Sequence, residues 1–124
     1  MSANLTAVVL VNDSRQAGPI LETLSRKGFA AVVESNPRSV LEACKADPPA
    51  MVIVEECLEA MTGIRFLSEL VRVSWSTATV LISDEEEEVV HQKTEGLGIL
   101  GHIRSFNDVV SLERLLDNRC KISS

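Results

Sequence analysis

The sequence predicts an α/β fold, a parallel sheet of short strands with helices between them. Three observations carry this. Apolar residues gather in five short blocks, Ala7–Val11, Ala30–Val33, Met51–Val54, Ala78–Ile82 and, more weakly, Ile99–Ile103. The first four are runs rich in Val and Ile without polar alternation, as expected of strands covered on both faces. The stretches between the blocks have helical length and period, so the order reads β-α repeated five times, with right-handed crossovers.

Each helix has its own signal. Ile20, Leu21 and Leu24 share a face ahead of Gly28, a residue suited to a helix end. Pro19 belongs in the first turn of that helix or kinks it. Asn36-Pro37 reads as a cap followed by a first-position proline, and Leu41 and Cys44 share the face behind it. Ile64, Leu67, Leu70 and Val71 make the clearest stripe, in the third helix. Asp84 to Glu95 forms a polar fourth segment, opening on the run Asp84-Glu85-Glu86-Glu87-Glu88, whose carboxylates would suit the positive end of a helix. Val109, Leu112 and Leu116 mark the fifth helix. Gly96 and Gly98 bracket Leu97 and suggest a flexible loop before the last strand.

Composition narrows the function classes. The 124 residues fit one domain, read as spanning 1–124 with its core at about 7–118, and 45% apolar content is too high for a disordered chain. Eighteen acidic against twelve basic residues give a net charge of −6, which argues against gripping nucleic acid by phosphate neutralisation. No apolar run approaches the roughly 18 residues of a membrane span, and the N-terminal residues lack a basic-then-apolar leader pattern. Cys44, Cys57 and Cys120 are odd in number and widely spaced, which suits free thiols in a reducing cytoplasm. His91 and His102 each stand alone, without a second ligand at metal spacing. Cys57 is not expected to be reactive beside two glutamates. Trp75 is expected to pack in the loop after the third helix, and Met61 to cover the core.

In an open parallel sheet, ligands sit beyond the carboxyl ends of the strands. Asn12-Asp13-Ser14 follow the first strand, Glu55-Glu56-Cys57 the third, Ser83-Asp84 the fourth and Arg104-Ser105 the fifth. Two carboxylates, a hydroxyl and a cation would converge there. Such a set could hold Mg²⁺ through oxygen ligands, or a phosphoryl group between metal, hydroxyl and guanidinium. Strand ends are also polar simply because they meet water.

At these residues the chain resembles the receiver domain of two-component response regulators. The resemblance runs from about Ala7 to the end of the last helix. It rests on Val8-Val9-Leu10-Val11-Asn12-Asp13-Ser14, Met51-Val52-Ile53-Val54-Glu55-Glu56, Met61-Thr62-Gly63, Val80-Leu81-Ile82-Ser83 and Ile103-Arg104-Ser105-Phe106. It implies a three-layer (βα)5 sandwich, flavodoxin- or CheY-like, with sheet order 2-1-3-4-5. Receivers carry an acidic pair that binds Mg²⁺ after the first strand; here Asn12 and Asp13 hold those places. Their phosphoacceptor aspartate after the third strand is Glu55, and the backbone carbonyl that ligates the metal two residues on is that of Cys57. Ser83 stands at the hydroxyl position and Arg104 at the lysine position, both phosphoryl contacts in the family. Ser105 replaces the following proline, and the aromatic switch position is Gly101.

The departures weaken the family chemistry. Glutamate reaches roughly 1–1.5 Å further than aspartate, and a misplacement of about 1 Å can cost on the order of a hundredfold in a positioned reaction. Asn12 removes a charge from the metal site, so Mg²⁺ held by Asp13, Asn12, Glu55 and the Cys57 carbonyl would be weakly bound at best. Arg104 is a planar fork that sits differently from lysine, and is expected to pair with Glu55 or Asp13. The Arg104–Ser105 bond is expected to be trans. Gly101 offers no ring to swing. The expectation is a degenerate receiver, a pseudo-receiver in a two-component or phosphorelay system. It would be non-enzymatic and act through protein contact, with Glu55 either holding Ser83 as in the activated state or neutralised by Arg104. Its partner would be another protein or an effector domain, with no direct nucleic acid or membrane contact. A homodimer could form through the face of the fourth helix, fifth strand and fifth helix, where Gln92, Lys93, Arg104, Arg114 and Arg119 meet the Glu-rich segment. The alternatives are a working phosphoacceptor using Glu55 with Mg²⁺, and a flavodoxin-like cofactor binder. The latter is disfavoured because Asn12-Asp13-Ser14-Arg15 is no Ser/Thr/Gly-rich phosphate loop.

Overall fold

The computed structural model describes residues 5–123, with side-chain surroundings to residue 118, so Arg119 and Cys120 lie outside the described side chains. Strands β1 (Leu5–Leu10), β2 (Phe29–Glu34), β3 (Met51–Glu55), β4 (Ala78–Ile82) and β5 (Gly101–Ile103) alternate with helices α1 (Gly18–Arg26), α2 (Pro37–Ala46), α3 (Gly63–Val73), α4 (Glu87–Lys93) and α5 (Val109–Ser123). All strand pairings are parallel, in the expected order β2-β1-β3-β4-β5.

The helix boundaries follow from local chemistry. Asn36 Oδ1 accepts from the Arg38 and Ser39 amides, and Pro37 opens α2 where no amide donor is needed. Thr62 caps α3 by accepting from the Arg65 amide at 3.1 Å. Pro19 lies in the first turn of α1 without breaking it, and Gly28 follows that helix at φ 90°. Of the acidic run, only Glu87 and Glu88 fall in the first turn of α4; Asp84 and Glu85 precede the helix and Glu86 sits at its N-cap.

The sheet divides the core in two. Val9, Ile53, Val80 and Ile103 pack with Ile20 and Leu24 of α1 and Leu112 and Leu116 of α5. Leu10, Val52, Val54 and Leu81 pack on the other side with Leu41 and Cys44 of α2, Phe66, Leu67 and Leu70 of α3 and Val90 of α4. Alternate residues of β1, β3 and β4 thus enter opposite layers, which places the strand ends between two fixed walls.

Three expectations are corrected. β2 is an edge strand and is not covered on both faces; it pairs only with β1, and Val32 is 53% exposed. The α3 stripe is centred on Phe66, Leu67 and Leu70, while Ile64 and Val71 are half-buried. Trp75 is 82% exposed and packs in no loop core. The segment before β5 is shaped by its glycines: Gly96 and Gly98 adopt φ 85° and 65°, and Leu97 packs beside the α2–α4 layer.

Candidate functional site

Asn12, two residues past the end of β1, is engaged at every polar atom of its side chain. Its Nδ2 donates to the Cys57 carbonyl at 2.7 Å, and its Oδ1 accepts from the Glu59 amide at 3.0 Å. Its backbone amide donates to Glu55 Oε1 at 2.9 Å. The amide side chain therefore laces β1 to the β3–α3 loop, with a donor pointing at the Cys57 carbonyl where a cation ligand is required by the receiver resemblance.

Asp13 turns away from this knot. It caps a single 3₁₀ turn at Ser14–Ala17 and takes the Arg15 side chain in a fork, Nε to Oδ1 at 3.1 Å and Nη2 to Oδ2 at 3.0 Å. The Arg15 hydrogen bonds hold its carboxyl below the usual range. Arg104, expected on Asp13 or Glu55, joins neither. Its guanidinium is exposed and has no ion pair among the described residues, while its backbone amide donates to Asp108 Oδ2 at 2.9 Å. Asp108 also receives the Ser111 amide and so caps α5. No peptide bond among the described residues is cis, as expected for Arg104–Ser105.

Ser83 is 5% exposed, and its hydroxyl is held by Glu56 rather than Glu55: Oγ donates to Glu56 Oε1 at 2.6 Å. Glu56 Oε2 accepts from Lys93 Nζ at 3.0 Å, and Lys93 also contacts the Glu85 carboxylate. Burial pushes the Glu56 carboxyl up, but the Ser83 and Lys93 hydrogen bonds outweigh it and the group lies below its ordinary value. Its position is secured by the backbone, since the Glu56 amide donates to the Ile82 carbonyl and its carbonyl accepts from Gly63. A Cβ at Gly63 would stand 2.6 Å from the Glu55 carbonyl oxygen, so only glycine admits this close crossing. Lys93 is drawn inward by Glu56 and Glu85 and is not a free cation of the α4 face.

At Gly101, a Cβ would lie 2.5 Å from Leu115 Cδ2. Leu115 of α5 thus fills the space beside Gly101. The space left between the strand ends is a cavity of ≈ 280 Å³ lined by Glu55, Glu56, Cys57, Ser83, Arg104 and Ser105 among others. No three acidic, His or Cys side chains converge on a cation position among the described residues, and the oxygens that would ligate Mg²⁺ already accept hydrogen bonds from Asn12 and Arg15. The residues as arranged do not fit the ion. Cys57 is exposed, and Cys44 is buried in the α2 layer, where burial pushes its thiol up.

No family model and no curated protein matches the chain. Solved structures do. A chemotaxis response regulator of Vibrio cholerae superposes with a TM-score of 0.73 at 16% identity, over 91% of this chain and 99% of that one. A response regulator receiver domain protein of Clostridium thermocellum gives 0.78 at 15% identity, over 96% and 98%. The fold is that of a response-regulator receiver domain. A third similar structure, a response regulator of Burkholderia pseudomallei, gives 0.77 at 16% identity over 97% of this chain and 71% of that one, and holds a phosphorylated aspartic acid and a calcium ion.

Against the receiver fold, Asn12, Glu55, Cys57, Ser83 and Arg104 lie in one region at the carboxyl edge of the sheet, Asp13 turns outward to Arg15, and Glu56 and Lys93 complete the arrangement. Sequence reasoning passed over Glu56 because its neighbour occupies the family position. The Glu55-Glu56 doublet was the available signal, since it offers a second carboxylate in the turn directly after β3.

Proposed function

We propose that this chain is a receiver-like signalling module that acts through protein contact without phosphorylation at the strand-end site. The observation that supports it is the Ser83–Glu56–Lys93 chain of hydrogen bonds. The hydroxyl that would approach a phosphoryl oxygen is bound instead to a carboxylate of the protein itself, with a lysine ammonium beside it. A carboxylate accepting from a hydroxyl and an ammonium imitates the charge and acceptor pattern of an acyl phosphate, in one fixed state. Asn12 performs the corresponding service where a receiver would place a cation, its amide donor satisfying the Cys57 carbonyl. Glu55 accepts from the Asn12 backbone amide, so phosphoryl capture would fall to a side chain that is already hydrogen-bonded.

The module needs no enzymatic step. Its output is the surface that the fixed site shapes, α4 and the β4–α4 loop with β5 and α5, where a partner protein or effector domain would dock. A cytoplasmic, two-component setting fits the receiver fold. The test is phosphoryl incorporation from acetyl phosphate with Mg²⁺, read by intact mass, for wild type and Glu55→Asp. Wild type is expected to remain unmodified. A phosphoryl group mapped to Glu55 would overturn the reading in favour of a working phosphoacceptor.

A further inference from the structure

The charges of this acidic protein are unevenly distributed. Four of its twelve Lys and Arg residues, Arg38, Lys45, Arg65 and Arg72, line one groove of ≈ 790 Å³ between α2 and α3, together with Glu42 and Glu69. Glu69 is shared by Arg65 at 3.3 Å and Arg38 at 3.8 Å, and Glu42 pairs with Lys45. Arg72 is exposed and has no ion pair among the described residues. The groove thus keeps a surplus of positive charge over an apolar floor that includes Leu41 and Val73. The opposite imbalance lies at the β4–α4 junction. Of the five consecutive carboxylates Asp84 to Glu88, Glu85 is neutralised by Lys93, while Asp84, Glu86, Glu87 and Glu88 are exposed without an ion pair among the described residues. Among the described residues, no hydrogen bond or ion pair links the groove to this run within one chain.

We propose that the α2–α3 groove of one copy receives the acidic segment Asp84–Glu88 of a second copy, a head-to-tail contact. Oppositely charged patches at different places on one molecule are complementary only between copies, and such heterologous contacts build rings or open arrays. Arg72 and the partly satisfied Arg38 are the groove cations with capacity to spare, and arginine forks suit carboxylate acceptors. The segment's own counter-ion, Lys93, is consumed by Glu56 and Glu85, which leaves the remaining carboxylates for another molecule. This contact uses the loop that the Glu56–Lys93–Glu85 pairing shapes, but its test reads association and not phosphoryl transfer, so the two readings fail separately.

Sedimentation of the full chain tests it. Wild type is expected to rise above its 13.5 kDa monomer mass with concentration at low salt, and to return to monomer at about 0.5 M salt, where screening confines electrostatics to a few ångströms. Arg65→Glu/Arg72→Glu and Glu87→Lys/Glu88→Lys, both confined to exposed side chains, are each expected to stay monomeric alone. Mixed together they are expected to associate, because each carries the complement of the other. Thermal melting checks that both fold, and Arg72→Gln gives a milder variant that should weaken association in part. A wild type that remains monomeric at low salt overturns the proposal. So does association that ignores salt or survives both pairs of substitutions, and so does a mixture that stays monomeric.

Discussion

Asn12 exchanges a charge for a donor, and the consequence can be measured. In Asn12→Asp the Nδ2 that donates to Cys57 is replaced by an oxygen, which would face the carbonyl oxygen at close range. Loss of the bond and the new repulsion are expected to lower stability by about 1–3 kcal/mol, read by urea denaturation. Added Mg²⁺ should recover part of that loss in the variant and leave wild type unchanged. Glu56 offers the companion test. Glu56→Ala leaves the Ser83 O–H, in a residue 5% exposed, without its acceptor while Oγ still accepts from the Glu85 amide, and should also cost about 1–3 kcal/mol. Glu56→Gln keeps an acceptor for Ser83 and should cost less. If the alanine variant matched wild type in denaturation, the Ser83–Glu56 bond would contribute nothing to the folded state.

At the scale of elements, two glycines that look alike in sequence differ in what surrounds them. The atoms crowding Gly63 are backbone, the Glu55 carbonyl and the Glu56 Cα, and cannot yield without moving β3 against α3. Those crowding Gly101 are the methyls of Leu115, which can change rotamer. Gly63→Ala is therefore expected to destabilise by about 1–3 kcal/mol and Gly101→Ala by less, with thermal denaturation as the check. The cap of α5 carries a pH dependence. Burial raises the Asp108 carboxyl, but the Arg104 and Ser111 amides outweigh it, so it titrates below its ordinary value of 3.8. Its folded value is depressed, so its stabilisation is complete above that ordinary value and is lost as pH falls through the lower folded one. Asp108→Ala is expected to cost about 0.5–2 kcal/mol at neutral pH, with the deficit closing below pH 3.8. A deficit that persists unchanged in acid would mean that the charge has no part in the cap.

Elements were legible in the sequence where a local rule acts alone. Asn36-Pro37 caps α2 as expected, because a cap is chemistry among neighbouring residues. The unbroken runs of β1, β3 and β4 mark the strands with neighbours on both sides. The exposure of Val32 was not legible, because its run of apolar residues reads the same at an edge as at the centre. Leu115 escaped notice for a related reason: it lies beside Leu116 in sequence, and only the sheet shows that it covers Gly101.

For the whole molecule, the resemblance to receivers led to the right fold, and the solved structures support that fold at 15–16% identity. Side-chain partners were less accessible, since they depend on which rotamers the packing leaves open. Glu55 was expected either to hold Ser83 or to be neutralised by Arg104, yet it is Glu56, in the turn after β3, that meets Ser83 and Lys93. Arg104 was expected to neutralise an acid, yet the i,i+2 neighbour Arg15 takes Asp13 first. Local pairs form ahead of distant ones because little chain entropy opposes them.

The central claim is that the chain's own side chains fill the roles of cation and phosphoryl group. An NMR titration with Mg²⁺ at neutral pH, through the millimolar range, tests it most directly by following the amides of Asn12, Cys57, Glu59 and Ser83. The account predicts that these signals stay in place. A saturable shift centred on them would show a working cation site and contradict it.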